Sequence, residues 1–350
     1  MNKNIGKKVQ LCLSYAVFFL SGAGIFLPLK SSDNTAVSLL TSLIISVCVL
    51  FLLLKLTNKY KGLPDCSSIT GRIFTLIIVL ICVFSLLLLL TEVVKDTSFI
   101  TNRGISLMYY TAISVSILLV NLYISSGTER GIFRFSVLST LPFLMLFFVL
   151  FAPFFTVKSA VFDFGAERQG IYNGILPGIK SGLFLSADSV FYLLLFDDLY
   201  EDTENKNRCF LSGLVISYAF ILALVIIPRL IFGKELASSL DMPDYSLARL
   251  VYGFDITELV SGLRIVSFLI KGSVYMRLCG RLIVSTQKKL RFKIKNVILT
   301  LHLLLPVSFL SLAIYDTNLD YGSLQHLIYP SAVISPLLLL LYIILMKKKT

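Results

Sequence analysis

Long unbroken apolar runs, separated by short polar segments, follow one another along the whole chain. A helix needs about 20 apolar residues to cross the hydrocarbon core of a bilayer. Ten runs meet that requirement, at about 9–29, 36–56, 73–92, 106–125, 135–156, 177–199, 209–232, 257–281, 296–315 and 328–346. The third and tenth are almost purely aliphatic, whereas Arg264, Lys271 and Arg277 interrupt the eighth. The runs do not fit a β-barrel, whose strands alternate apolar and polar residues over about ten positions. The pattern predicts an all-α polytopic membrane protein of ten helices. The polar segments leave no room for a soluble catalytic domain, so function must lie among the helices and their short loops.

Composition supports this reading. Of 350 residues, 56% are hydrophobic and only 15% are charged, against about 25% charged in a soluble domain. The mean hydropathy of +0.86 also rules out disorder, which needs low hydrophobicity. A net charge of +12 would suggest nucleic acid in a soluble protein. Here the cytoplasmic bias of basic loops accounts for it. With the N-terminus placed in the cytoplasm, cytoplasmic segments hold 21 of the 32 Lys and Arg and external ones 10, with Lys271 inside a span. That bias predicts both termini in the cytoplasm and one membrane domain over 1–350, with no nucleic-acid partner. The basic start followed by an apolar run resembles a signal peptide. Removing it would invert every later span, so the segment is expected to stay as the first helix. The six cysteines form no C-x-x-C pair and read as small buried apolar residues, with no disulfide framework and no metal site. In the absence of tryptophan, the 16 tyrosines must supply much of the interfacial aromatic belt.

Two spans carry helix-weakening residues at similar depth. The first contains Gly22-Ala23-Gly24 and then Pro28, and the sixth contains Ser186-Ala187-Asp188-Ser189. Unwound backbone at membrane depth is tolerated only where protein covers it or it lines a cavity. An acid at mid-span costs about 2.5–3.5 kcal/mol on insertion scales and so faces a partner or water. Paired interruptions suggest a five-plus-five inverted repeat, over 9–156 and 177–346. In such a repeat a small polar ligand sits at the midplane against free peptide groups and half-helix dipoles. Gly22, Ala23, Gly24, Ser186, Ala187 and Asp188 are the candidate binding residues. The competing reading of the glycines is close helix packing. Lys271 has three readings: it replaces a bound sodium ion near helix one, pairs with Asp188, or snorkels to an interface. Glu92 and Glu129 read as interfacial acids, and His302 as a structural histidine. No H-E-x-x-H, G-x-S-x-G or P-loop motif is present, so neither catalytic residues, a metal nor a cofactor is expected.

Several segments resemble the spore germination permeases. They are Leu176-Pro177-Gly178-Ile179-Lys180-Ser181-Gly182-Leu183-Phe184 with Ser186-Ala187-Asp188, Pro243-Asp244-Tyr245-Ser246-Leu247-Ala248-Arg249-Leu250, Phe268-Leu269-Ile270-Lys271-Gly272-Ser273-Val274-Tyr275 and Gly22-Ala23-Gly24-Ile25-Phe26-Leu27-Pro28. The resemblance implies the membrane B subunit of a nutrient germinant receptor. It further implies the leucine-transporter fold of the amino acid–polyamine–organocation superfamily and a place in the spore inner membrane with A and C subunits. The implied ligand is a small germinant such as an amino acid. The family often carries glutamate where Asp188 falls. The third helix here lacks the tyrosine that helps hold ligand in relatives of that fold. A proton-coupled amino-acid transporter is the other function that the same fold implies.

Overall fold

In lipid every backbone N–H and C=O must be satisfied within the segment, and an α-helix does this locally. The apolar runs accordingly form helices. The structure is a computed structural model and describes residues 2–21, 35–59, 71–83, 85–86, 90, 107–156, 172–196, 206–233, 236–237, 246–247, 249–250 and 257–287. Its helices are α1 (Asn2–Leu20), α2 (Thr35–Lys59), α3 (Gly71–Val83), α4 (Leu107–Ser126), α5 (Glu129–Leu138), α6 (Thr140–Thr156), α7 (Tyr172–Ala187), α8 (Ser189–Phe196), α9 (Lys206–Phe232) and α10 (Thr257–Gln287). No strand occurs among the described residues. Four stretches there are long and apolar enough to cross a membrane: Ala36–Lys55, Gly174–Phe196, Lys206–Phe232 and Glu258–Thr286. The protein is therefore a helical membrane protein. The ninth and tenth predicted spans lie outside the described residues.

Helix boundaries depart from the apolar runs where local capping decides. The fifth run is two helices. Thr128 caps α5, its Oγ1 accepting from Gly131 N at 3.2 Å and its carbonyl from Ile132 N at 3.1 Å, and Glu129 complements the helix dipole in the first turn. A turn at Ser139 then separates α5 from α6. At the far end of α9, Gly233 takes a positive φ of 80° and donates to the Arg229 carbonyl at 3.0 Å. Glycine adopts this left-handed C-terminal conformation without steric cost. The basic residues of the eighth run do not interrupt it. α10 continues unbroken for 31 residues, because helical hydrogen bonds are local and side-chain charge does not break them.

The chain forms two compact units, each drawing on both halves of the sequence. The first comprises Met1–Leu50, Ser136–Ser186 and Glu204–Ser267. Small residues govern its packing. On α7, Gly174, Gly178 and Gly182 recur every fourth residue, and on α2 Ser38, Ser42 and Ser46 do the same. A Cβ on Gly178 would lie 2.6 Å from the Ser38 carbonyl oxygen, and one on Gly182 2.6 Å from that of Ser42. The close approach lets Ser38 Oγ donate to the Gly174 carbonyl at 2.9 Å and Ser46 Oγ to that of Gly182 at 3.0 Å. From α9, the Tyr218 hydroxyl lies 2.8 Å from Ser42 Oγ and 2.7 Å from Ser46 Oγ. Interhelical hydrogen bonds of this kind contribute about 0.6 kcal/mol each in membranes. The opposite face of α2 carries exposed Leu40 and Ile44, at 61% and 60%, the arrangement of a helix that meets lipid. α1 and α9 pair by the same device. Gly213 admits the Cys12 carbonyl oxygen, which a Cβ would meet at 2.7 Å, and Ser217 Oγ donates to the Ala16 carbonyl at 3.1 Å.

The second unit comprises Phe51–Phe135, Ala187–Thr203 and Phe268–Thr350. Its described core is the stretch of α10 from Phe268 onward, buried through Met276. α8 packs there, with the Phe191 and Tyr275 rings edge to face at 5.2 Å. Cys82 and Cys279 are buried and free, as is Cys209. Cys48 departs from the expected burial and lies exposed on α2. Cys66 lies outside the described residues.

Candidate functional site

The sixth apolar run is one path of 23 residues, Gly174–Phe196, broken by a single turn at Asp188. Two local effects place the break there. Ser186 Oγ donates back to its own helix, to the Gly182 carbonyl at 2.6 Å and more weakly to that of Leu183 at 3.3 Å. Back-bonding of this kind bends helices. Aspartate is a favourable residue at a helix start, and the Asp188 carbonyl accepts the first bonds of α8, from Phe191 N at 3.0 Å and Tyr192 N at 3.5 Å.

The Asp188 carboxylate meets Lys271 of α10, whose Nζ donates to Oδ2. The Lys271 side chain is only 3% exposed and that of Asp188 23%. Two charges removed from water are stable only with good mutual geometry and further hydrogen bonds. Of the three readings of Lys271, snorkelling fails because the ammonium is buried, and the structure shows the pair with Asp188. Replacement of an ion at helix one concerns carbonyls outside the described residues.

The other candidates divide. Gly22, Ala23 and Gly24 lie outside the described residues. α1 stops at Leu20, and Ser21 forms a turn with its N and Oγ on the Val17 carbonyl at 2.8 and 2.7 Å. Ser186 and Ala187 are buried. Ser186 spends its hydroxyl on α7, so of the sixth-span triplet Asp188 alone presents a charged group. Glu129 joins an ion-pair cluster. Its Oε1 lies 3.3 Å from Arg281 Nη1 and 3.9 Å from Arg277 Nε, and Arg281 Nη1 also donates to the Leu195 carbonyl at 3.3 Å. Glu92 and His302 lie outside the described residues.

Sequence reasoning passed over the neutral polar groups around the pair. Tyr275 is four residues from Lys271 on α10, and its hydroxyl lies beside the Asp188 carboxyl. It makes no regular hydrogen bond to that group or to any other described residue. Asn121 of α4 is fully buried, and neither its Oδ1 nor its Nδ2 has a partner among the described residues. Its visible signal is one amide within an aliphatic run. Among the described residues no group of three His, Cys, Asp or Glu could hold a metal ion.

No protein-family model and no curated protein matches the chain.

Proposed function

We propose that this membrane protein binds a small nutrient, best an amino acid, at the helix break around Asp188. On this reading it acts as the permease-like B subunit of a spore germinant receptor, beside A and C subunits, with both termini in the cytoplasm. The observation that carries the proposal is the pairing of buried Lys271 with partly exposed Asp188 at a break in an apolar helix. An acid within a span is expensive and is retained where it serves a site. A zwitterion matches this pair charge for charge, with its ammonium on Asp188 and its carboxylate on Lys271. Exchange of one ion pair for two gives the ligand a means to shift a conformational equilibrium. The family resemblance supplies the receptor role. Proton-coupled amino-acid transport is the second reading, favoured by the partial exposure of the Asp188 carboxylate beside a buried ammonium.

Labelled amino acids offered to proteoliposomes of the purified protein separate the readings. Saturable binding without accumulation supports the receptor, and accumulation driven by a proton gradient supports the transporter. Neither binding nor uptake, with the protein folded, would remove both.

A further inference from the structure

α4 presents a polar seam of Ser114, Asn121 and Ser125, all buried. Ser125 satisfies its hydroxyl on the Leu122 carbonyl at 3.2 Å. Asn121 does not follow that economy. Its amide carries two donors and an acceptor, all without partners among the described residues. A buried polar group left unpaired loses its hydration with nothing in return.

α10 accommodates that amide. A Cβ on Gly272 would lie 2.8 Å from Asn121 Nδ2 and 3.3 Å from both Asn121 Cγ and Leu86 Cδ1. Glycine in a helix interior is unfavourable relative to alanine. Two unfavourable choices therefore meet at one point, and each makes sense only with the other. The position is telling: Gly272 follows Lys271, and Tyr275, three residues on, holds its hydroxyl beside the Asp188 carboxyl. One turn of α10 thus gathers a charged pair, a phenol and an amide.

We infer that Asn121 and Tyr275 form a second polar subsite beside the Asp188–Lys271 pair, one that takes a neutral group able both to donate and to accept a hydrogen bond. A carboxamide or a hydroxyl on the side chain of the bound solute has that chemistry. The charged pair holds the head of the ligand and Asn121 reads its side chain. The inference deepens the function proposed above and rests on it. A purely structural asparagine would bond its own helix or a neighbour, as Ser125 and Ser46 do. A site that recognises a polar group by hydrogen bonding discriminates strongly against analogues lacking it, because the protein's own groups are then left unpaired.

The test uses the full-length protein in nanodiscs, wild type and N121L, melted alone and with millimolar L-asparagine, L-glutamine, L-serine, L-threonine, L-alanine, L-valine or L-leucine. Alone, N121L is expected to melt no lower than wild type, since an apolar isostere replaces an unpaired amide. Among the ligands, the amide- and hydroxyl-bearing ones should raise the wild-type Tm more than the apolar ones, and N121L should erase that difference. N121A, which adds no bulk, should erase it too if N121L does not fold. A fall of several degrees in both ligand-free variants would assign the amide a structural partner and overturn the inference. Equal ligand profiles in wild type and variants would also overturn it, while leaving the proposed function standing. Absence of any wild-type shift would remove the proposed amino-acid site and the subsite with it.

Discussion

Lys271 is buried and its ammonium depends on the Asp188 carboxylate, which is itself about a quarter exposed. Removing one member of a buried pair leaves the other uncompensated, at a cost of about 3–5 kcal/mol, whereas replacing both by apolar residues is often neutral. D188L, which strands the buried Lys271 ammonium, should destabilise the protein by about that amount, K271M by less because solvent reaches the remaining carboxylate, and the K271M/D188L double variant by far less than their sum, measured by unfolding in detergent. The double variant should at the same time lose all ligand response. Glu129 gives the contrast. Its side chain and those of Arg277 and Arg281 are each about a quarter exposed, so solvent screens the cluster. E129Q should cost no more than about 1 kcal/mol. Both acids and Lys271 were legible in the sequence, because a charge inside or beside an apolar run stands out. The pairing with Asp188 was one of three readings of Lys271, and only the structure selects it, since 83 residues separate Asp188 from Lys271. Asn121 was harder still to see: an uncharged amide barely disturbs hydropathy, and only the packing shows that its donors and acceptor find no partner among the described residues.

At the scale of the helix, glycine means different things at different contacts. Gly178 and Gly182 bring α7 against the α2 backbone, so G178V or G182V should prevent α2 from seating and abolish the folded protein in a gel-filtration or thermal assay. Gly262, in α10, has no described residue within 4 Å of its would-be Cβ. G262A should therefore stabilise the protein by about 0.8–1.0 kcal/mol through helix propensity alone. If G262A destabilised the protein as much as G178V, the packing account of the α2–α7 contact would fail. Small-residue packing was the competing reading of the first-span glycines, which lie outside the described residues. The described examples lie between α2 and α7, where serine and glycine stripes share a period of four, and between α1 and α9. Element ends were legible only to within a few residues, because apolar length does not register the Thr128 cap, the Gly233 terminus or the serine back-bonding that precedes Asp188.

For the molecule as a whole, the biased distribution of Lys and Arg leads to a test of orientation. Reporter fusions at Met1 and Thr350 should both read as cytoplasmic, and opposite readings would require an odd number of crossings. Apolar length alone determined that the chain is a helical membrane protein, because lipid obliges each long run to satisfy its own backbone. The sequence also marked the first and sixth spans as the ones to break, of which the sixth break lies within the described residues, and Asp188 and Lys271 as conspicuous charges inside spans. Only the tertiary structure decided which groups meet: that Asp188 holds Lys271, that Ser186 turns back on its own helix, and that Gly272 makes room for Asn121. Hydropathy is a property of each segment taken singly. Ion pairing and close packing depend on distances between segments far apart in the chain, which no local pattern encodes.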